Sequence, residues 1–104
     1  MLLSMISKDE ARRLALKKIH EDWNIEGDEP AILDESTIEK EFGWVFFYTS
    51  RRFLETQSLS FALAGNAPLI VNKFDSSVHR TGTALPTEDY VDEYEKKLAP
   101  KKQK

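Results

Sequence analysis

The chain has 104 residues and a net charge of −3; 40% of its residues are apolar and none is cysteine. This length makes one domain the default, and the composition is that of an ordinary globular protein. The lack of cysteine excludes disulfides, thiolate metal sites and cysteine nucleophiles, and no apolar stretch approaches the ~20 residues that a membrane span needs.

Acidic residues are concentrated in one part of the chain. Residues 21–41 contain nine acids and one cation, a net charge of −8, whereas residues 96–104 contain five lysines and no acid. This distribution disfavours nucleic-acid binding by the body of the domain, because phosphate contacts require a basic surface. The acidic segment is either a solvated face that keeps the protein soluble or a surface that steers a basic protein partner.

The first predicted element is a helix over residues 8–22. Ser7 and Glu10 form a capping box at its start. Its apolar stripe, at helical spacing, consists of Ala11, Leu14, Ala15 and Ile19. A first strand is predicted over residues 31–37, and residues 39–43 are predicted to be a connection.

The strongest strand signal covers residues 43–50. Its alternation places Trp44, Phe46 and Tyr48 on one face and Val45 and Phe47 on the other. Apolar groups on both faces indicate either a central strand covered on both sides or a sheet that leaves one aromatic face for a partner. The chain is then predicted to continue as irregular or extended structure over residues 51–56.

The second half of the chain favours one or two helical turns over residues 59–65, then a hairpin and a final helix. The hairpin strands are predicted at 68–74 and 78–82, and the helix starts after Thr87 as N-cap and ends at Pro100. The order of elements predicts an α+β fold, in which an antiparallel sheet of about four strands carries the N-terminal and C-terminal helices on one face. The domain is predicted to cover residues 1–98, and residues 99–104 a disordered, lysine-rich tail.

No catalytic, metal-binding or cofactor-binding set is expected. The two histidines, His20 and His79, are about sixty residues apart and lack the accompanying ligands of a zinc site. His79 and Asp75 could belong to a Ser-His-Asp arrangement, but no nucleophile elbow or oxyanion loop accompanies them. The acids of residues 28–35 lack the ligand spacing and the glycine of a calcium loop.

Two further features allow either a structural or a binding interpretation. Asn66, between Gly65 and Pro68, either hydrogen-bonds the turn that leads into the next strand or contacts a partner. Arg51 and Arg52 follow the aromatic strand directly, and arginine beside aromatic residues is common at protein interfaces. Alternatively, the arginines pair with nearby acids, for which the candidates are Glu39, Glu41 and Glu55.

Several segments in a fixed order resemble the YrhB-like family, also called the immunity protein 35 family. They are Gly-Trp-Val-Phe-Phe-Tyr at 43–48, Phe-Leu-Glu-Thr at 53–56, Leu-Ala-Gly-Asn-Ala-Pro-Leu-Ile-Val at 63–71, and Gly-Thr-Ala at 82–84 with Pro86, Tyr90 and Tyr94-Glu95. The structural signature residues are Gly43, Trp44, Phe46, Gly65, Pro68 and Gly82. The turn at 75–77 departs from the family pattern, which commonly has a glycine there.

The resemblance implies a bacterial, cytoplasmic α+β protein without enzymatic activity that protects the producing cell by binding a cognate polymorphic toxin. The alternative is a chaperone-like protein that shields unfolded chains with the outer face of the aromatic strand. Residues 1–6 lack the features of a signal peptide, in keeping with the cytoplasm. We expect a protein partner, no nucleic acid and no membrane, and a monomer or homodimer. The candidate partner-binding residues are Asp28, Glu29, Asp34, Glu35, Arg51, Arg52 and Asn66.

Overall fold

The computed structural model describes residues 5–23, 26–57, 67–82 and 84–103, except for the side chains of 99–103. Within these ranges the elements are α1 (Lys8–Asp22), β1 (Pro30–Ile32), a 3-10 turn (Asp34–Ser36), β2 (Ile38–Lys40), β3 (Gly43–Phe46), β4 (Tyr48–Ser50), α2 (Arg51–Thr56), β5 (Leu69–Asn72), β6 (Val78–Arg80) and α3 (Thr87–Gln103).

Two antiparallel sheets form the framework. Four strands lie in the order β2-β3-β5-β6, and β1 and β4 form a separate two-stranded sheet. Val45, in the middle of β3, pairs with Ile38 of β2 and Ile70 of β5. The predicted α+β fold, with an N-terminal helix, an antiparallel sheet and a C-terminal helix, is confirmed.

The four-stranded sheet is covered by a helix on each face. On one face, α1 packs its small residues against the aromatic side of β3 in a cluster that includes Ala11, Ala15, Ile19, Trp44, Phe46, Leu69 and Val71. On the other face, Val91 of α3 packs with Phe42, Val45 and Ile70. The prediction that both helices share one face is therefore wrong, because the second apolar face of the alternating strands needs its own cover.

The predicted strand over residues 43–50 is two strands in different sheets. Phe47 separates β3 from β4, and its carbonyl accepts a hydrogen bond from the Leu33 amide at 2.8 Å. Beyond it, Tyr48 pairs with Ile32 of the small sheet. Local alternation continues through Phe47 without a break, so only the pairing partners show where one sheet ends and the other begins.

Three other element predictions differ from the structure. The first strand stops at Ile32, because the chain turns into the 3-10 segment at Asp34. The predicted connection over residues 39–43 overlaps β2, an edge strand that pairs with β3. Residues 51–56 form α2 instead of irregular chain, because the buried Ser50 hydroxyl accepts from the Phe53 amide at 3.1 Å and caps the helix.

The helix α1 agrees with its prediction, whereas α3 extends beyond its predicted end. α1 has the predicted bounds, and its capping box is present: the Ser7 hydroxyl accepts from the Glu10 amide and the Glu10 carboxylate from the Ser7 amide, both at 3.1 Å. α3 includes Thr87 and continues past Pro100 to Gln103, so its predicted end is wrong. A proline removes one backbone donor, but the hydrogen bonds on either side can still form. The division into a domain and a disordered tail stays a prediction.

Most of the signature residues have clear structural roles. Trp44 and Phe46 are in the core, and the buried Pro68 accepts a hydrogen bond from the Thr81 amide at 3.0 Å. A Cβ at Gly43 would lie 2.0 Å from the Val71 carbonyl oxygen, and one at Gly82 would lie 2.6 Å from the Tyr90 hydroxyl. Gly65, Asn66 and the helical turns predicted over residues 59–65 lie outside the described residues.

The β5–β6 turn, where the family pattern commonly has a glycine, accommodates Ser76 instead. Ser76 has a φ of 63°, in the left-handed region that glycine adopts most readily. Its amide donates to the Asn72 carbonyl at 2.9 Å, and Ser77 donates to the Asp75 carboxylate through both its amide and its hydroxyl. The polar turn residues therefore hold a conformation that glycine would adopt without strain.

Candidate partner-binding site

An open surface cavity of about 390 Å³ brings together residues from two distant parts of the sequence. Its lining consists of Gly27, Asp28, Glu29, Arg51, Arg52 and Glu55. The antiparallel pairing of Pro30 with Ser50 explains this, because residues just before β1 then lie beside those just after β4. Four of the seven predicted partner-binding residues, Asp28, Glu29, Arg51 and Arg52, are thus neighbours.

Asp28 holds the two walls of the cavity together. One oxygen of its carboxylate, Oδ1, accepts from the Glu29 amide at 2.8 Å and from the Arg52 amide at 3.1 Å. The other, Oδ2, accepts from the hydroxyl of Ser50, which is completely buried. Asp28 and Ser50 thereby fix the first turn of α2 against the segment that precedes β1.

The same contacts set the ionisation of Asp28. Burial alone would raise the pKa of this carboxyl, but hydrogen bonds from the Ser50 hydroxyl and from the Arg52 and Glu29 amides outweigh it, so the pKa is lowered. The carboxylate is therefore charged at neutral pH. Its backbone is also held, since the Trp23 indole donates to the Asp28 carbonyl at 3.2 Å.

Arg51 lies between two carboxylates in the cavity. Its NH1 is 3.0 Å from Oε2 of Glu29, and its Nε is 3.5 Å from Oε2 of Glu55, one helical turn away. All three side chains are more than half exposed, and ion pairs of this kind contribute at most about 1 kcal/mol to stability. Of the acids considered as alternatives for the arginines, Glu55 is a partner of Arg51, whereas Glu39 pairs with Lys8 at 3.3 Å.

Asp34 and Glu35 do not line the cavity. Both belong to the 3-10 turn after β1, where Asp34 forms a two-pronged ion pair with Arg12 of α1 at 2.7 and 3.0 Å. Hydrogen bonding from Arg12 is the main reason that the pKa of Asp34 is lowered. Glu35 is exposed, and among the described contacts no hydrogen bond or ion pair involves its side chain.

Cations from other elements compensate part of the charge of the acidic segment. Besides Glu29, Asp34 and Glu39, Asp22 pairs with Arg80 of β6 at 2.8 Å. Four of the nine acids thus have a cationic partner from another element among the described ion pairs, so the surroundings of the segment are less negative than its sequence indicates.

The turn after β5 contains serine, histidine and aspartate in contact, but in an order that does not suit nucleophilic catalysis. The Ser77 hydroxyl lies between the Asp75 carboxylate, at 2.6 Å, and Nε2 of His79, at 2.8 Å. In a catalytic triad the imidazole lies between the serine and the carboxylate and takes the hydroxyl proton. Here the Ser77 proton is directed to the carboxylate, so the contacts stabilise the turn.

The described residues contain neither a metal-binding cluster nor a membrane-spanning helix. In the part of the chain that the structure describes, no three His, Cys, Asp or Glu residues are placed to hold a metal ion. The helices of that same part are each too short or too polar to cross a bilayer.

Two residues of the site, Gly27 and Ser50, were not predicted from the sequence. Gly27 lines the cavity with a φ of 79°, and Ser50 connects Asp28 to α2. A serine three residues before Phe53 is a possible helix cap, so Ser50 carried a local signal. The partnership of Ser50 with Asp28, 22 residues away, carried none.

The fold and the site define a small α+β protein with a mixed-charge surface cavity beside a short, firmly capped helix. The family described as Immunity protein 35 matches residues 9–97, and the chain belongs to this family. The predicted family is therefore confirmed.

The chain is 47% identical over 57 residues to YrhB of Escherichia coli strain K12, a protein described as uncharacterized. The matched region covers 55% of this chain and 61% of YrhB. No solved structure matches the chain.

Proposed function

We propose that the protein is an immunity protein that binds a cognate bacterial polymorphic toxin in the cytoplasm of the producing cell and neutralises it without catalysis. Membership of the immunity protein 35 family carries the proposal. The cavity supports it, because exposed charges of both signs around a rigid backbone are suited to recognising a charged protein surface.

We centre the contact surface on the cavity residues Glu29, Arg51, Arg52 and Glu55. Asp28 belongs to the same surface but has a second task, since its carboxylate holds α2 in place. Asp34, Glu35 and Asn66 stay predicted contacts outside the cavity. Exposed interface charges mainly affect the association rate, so binding of the toxin should slow as salt is added.

Co-expression tests the proposed function directly. The toxin domain encoded beside the gene is expressed in Escherichia coli from one promoter and this protein from another. We expect growth to be restored and the two purified proteins to elute together from a sizing column. Continued toxicity at full, soluble expression of this protein, with no complex on the column, would overturn the proposal.

Charge variants then test the surface. Glu29→Lys should weaken the complex, whereas Asp92→Lys, at an exposed acid on α3, changes the net charge equally and should leave affinity unchanged. Equal weakening by both variants would show that overall charge, and not this cavity, governs binding. An association rate that stays constant from low to high salt would remove the charged residues from the contact.

The chaperone-like alternative depended on an exposed aromatic face. In the structure Trp44 and Phe46 are buried, and the half-buried Phe47 packs against the cluster under α3. The surface proposed for binding unfolded chains is thus largely covered, which favours the immunity role. Suppression of thermal aggregation of an unrelated enzyme at equimolar protein would restore the alternative.

A further inference from the structure

The two glutamates of the cavity are open to solvent although both contact Arg51. Arg51 contacts Oε2 of Glu29 and Oε2 of Glu55, and both glutamate side chains are 62% exposed. A carboxylate has about four acceptor positions on its two oxygens. Each glutamate can therefore accept from Arg51 and from a second donor at the same time.

The charge balance of the cavity favours a cationic donor. Three acids and two arginines line it, so it has one excess negative charge, and the exposed Glu26 directly precedes it in sequence. The Asp28 carboxylate is occupied by the Ser50 hydroxyl and by two backbone amides. The excess charge is thus carried mainly by the Glu29–Arg51–Glu55 set, in which one arginine pairs with two carboxylates.

The set is held on a fixed backbone and lies next to an apolar side chain. Glu29 is held because its carbonyl accepts from the Arg51 amide at 2.8 Å, and Asp28 fixes the start of α2. Leu54, which is 40% exposed, is three residues after Arg51 and therefore its neighbour on the helix surface. A side chain with an aliphatic stem and a charged head would match an apolar group beside paired carboxylates.

We infer that the cavity binds an arginine side chain of the toxin, whose guanidinium donates to Glu29 and Glu55. This inference rests on the proposed function and names the partner chemistry of the same site. A guanidinium fits better than an ammonium, because its planar group has five donors and can bridge two carboxylates, as Arg51 does here.

A titration with N-acetyl-arginine amide tests the inference without the toxin. Amide resonances of ¹⁵N-labelled protein are followed by NMR, and we expect saturable shifts at Glu29, Arg51 and Glu55. Glu29→Gln and Glu55→Gln should each lower the affinity about two- to fivefold, the range for exposed ion pairs. Arg51→Gln should raise it by a similar factor, because both carboxylates lose their competing cation.

Matched controls separate a specific site from general attraction to acids. Asp92→Asn, an exposed acid on α3, removes one negative charge and should leave the affinity unchanged. Shifts of equal size around Asp92 and around the cavity would overturn the inference. A loss of affinity in Arg51→Gln would also overturn it, since Arg51 would then help to bind the probe instead of competing with it.

Toxin co-expression distinguishes this inference from the proposed function. We expect the Glu29→Gln, Glu55→Gln double variant to bind the toxin more weakly than the unaltered protein while retaining its fold by circular dichroism. Full toxin affinity in the double variant would overturn the arginine contact and leave the immunity role standing. Failure of the unaltered protein to protect cells would overturn the immunity role itself.

Discussion

Gly43 begins β3 at a point where three strands meet, and a side chain there is expected to destabilise the protein strongly. It pairs with Lys40 of β2 and Asn72 of β5, and its φ is +150°. In Gly43→Ala the new Cβ would lie 2.0 Å from the Val71 carbonyl oxygen and 3.0 Å from the Lys73 amide nitrogen. Both are backbone atoms, so the contact can be relieved only by moving β3 away from β5.

The expected loss in the free energy of unfolding of Gly43→Ala has two contributions. A non-glycine residue in this region of φ costs about 1–3 kcal/mol, and loss of a ladder hydrogen bond costs about 0.5–1.5 kcal/mol. A loss of about 3 kcal/mol is a large fraction of the 5–15 kcal/mol that stabilises a typical domain. For a chain of this size it corresponds to a fall in melting temperature of roughly 12–24 °C.

Urea unfolding monitored by tryptophan fluorescence measures this loss, because Trp44 is buried next to the altered residue. Gly27→Ala is the matched control, since Gly27 also has a positive φ, +79°, but its Cβ would meet only the Arg52 side chain at 3.9 Å. We expect the control to lose about 1 kcal/mol, the cost of the left-handed conformation alone. Equal losses in the two variants would refute the role of the Val71 contact.

Three further changes in stability are expected. Ser50→Ala should lose about 1–2 kcal/mol in urea unfolding, because it removes the helix cap and a donor to a carboxylate. As pH falls below about 4, the melting temperature should decrease. Asp34 has a lower pKa in the folded than in the unfolded state, so the stability that it contributes above its unfolded pKa is lost as it becomes protonated. The decrease should be smaller in Arg12→Gln, because Arg12 is the main cause of the lowered pKa. Ser76→Gly should raise the unfolding free energy by about 0.5–1 kcal/mol, since it relieves the left-handed φ of 63°. No gain would show that the serine hydroxyl or chain entropy offsets that relief.

Features fixed by neighbouring residues were predictable from the sequence. The capping box of α1 lies within four residues, Ser7 to Glu10, and it located the helix start correctly. The alternation around Val45 likewise assigned each side chain of β3 to the correct face. Both signals depend on helix or strand geometry alone, and tertiary packing did not override them.

Features fixed by distant pairings were not predictable. The chain passes from one sheet to the other at Phe47, because Val45 pairs with β5 whereas Tyr48 pairs with β1. In the same way, the charge of residues 21–41 indicated a strongly acidic surface until Arg12 and Arg80 were placed beside its acids. The cavity was partly predictable, since its charged residues stood out in the sequence. Their proximity depended on the register of β1 with β4.

Asp28 and Glu29 are adjacent in sequence and equal in charge, yet the structure gives them different tasks. The Asp28 carboxylate is enclosed by Ser50 and two backbone amides, so its loss would move α2 as well as remove a charge. Glu29 is exposed and contacts only Arg51 through its side chain in the described structure, so its loss alters the surface and leaves the backbone in place. Weaker toxin binding after Asp28→Asn would therefore not identify a contact, whereas the same result after Glu29→Gln would.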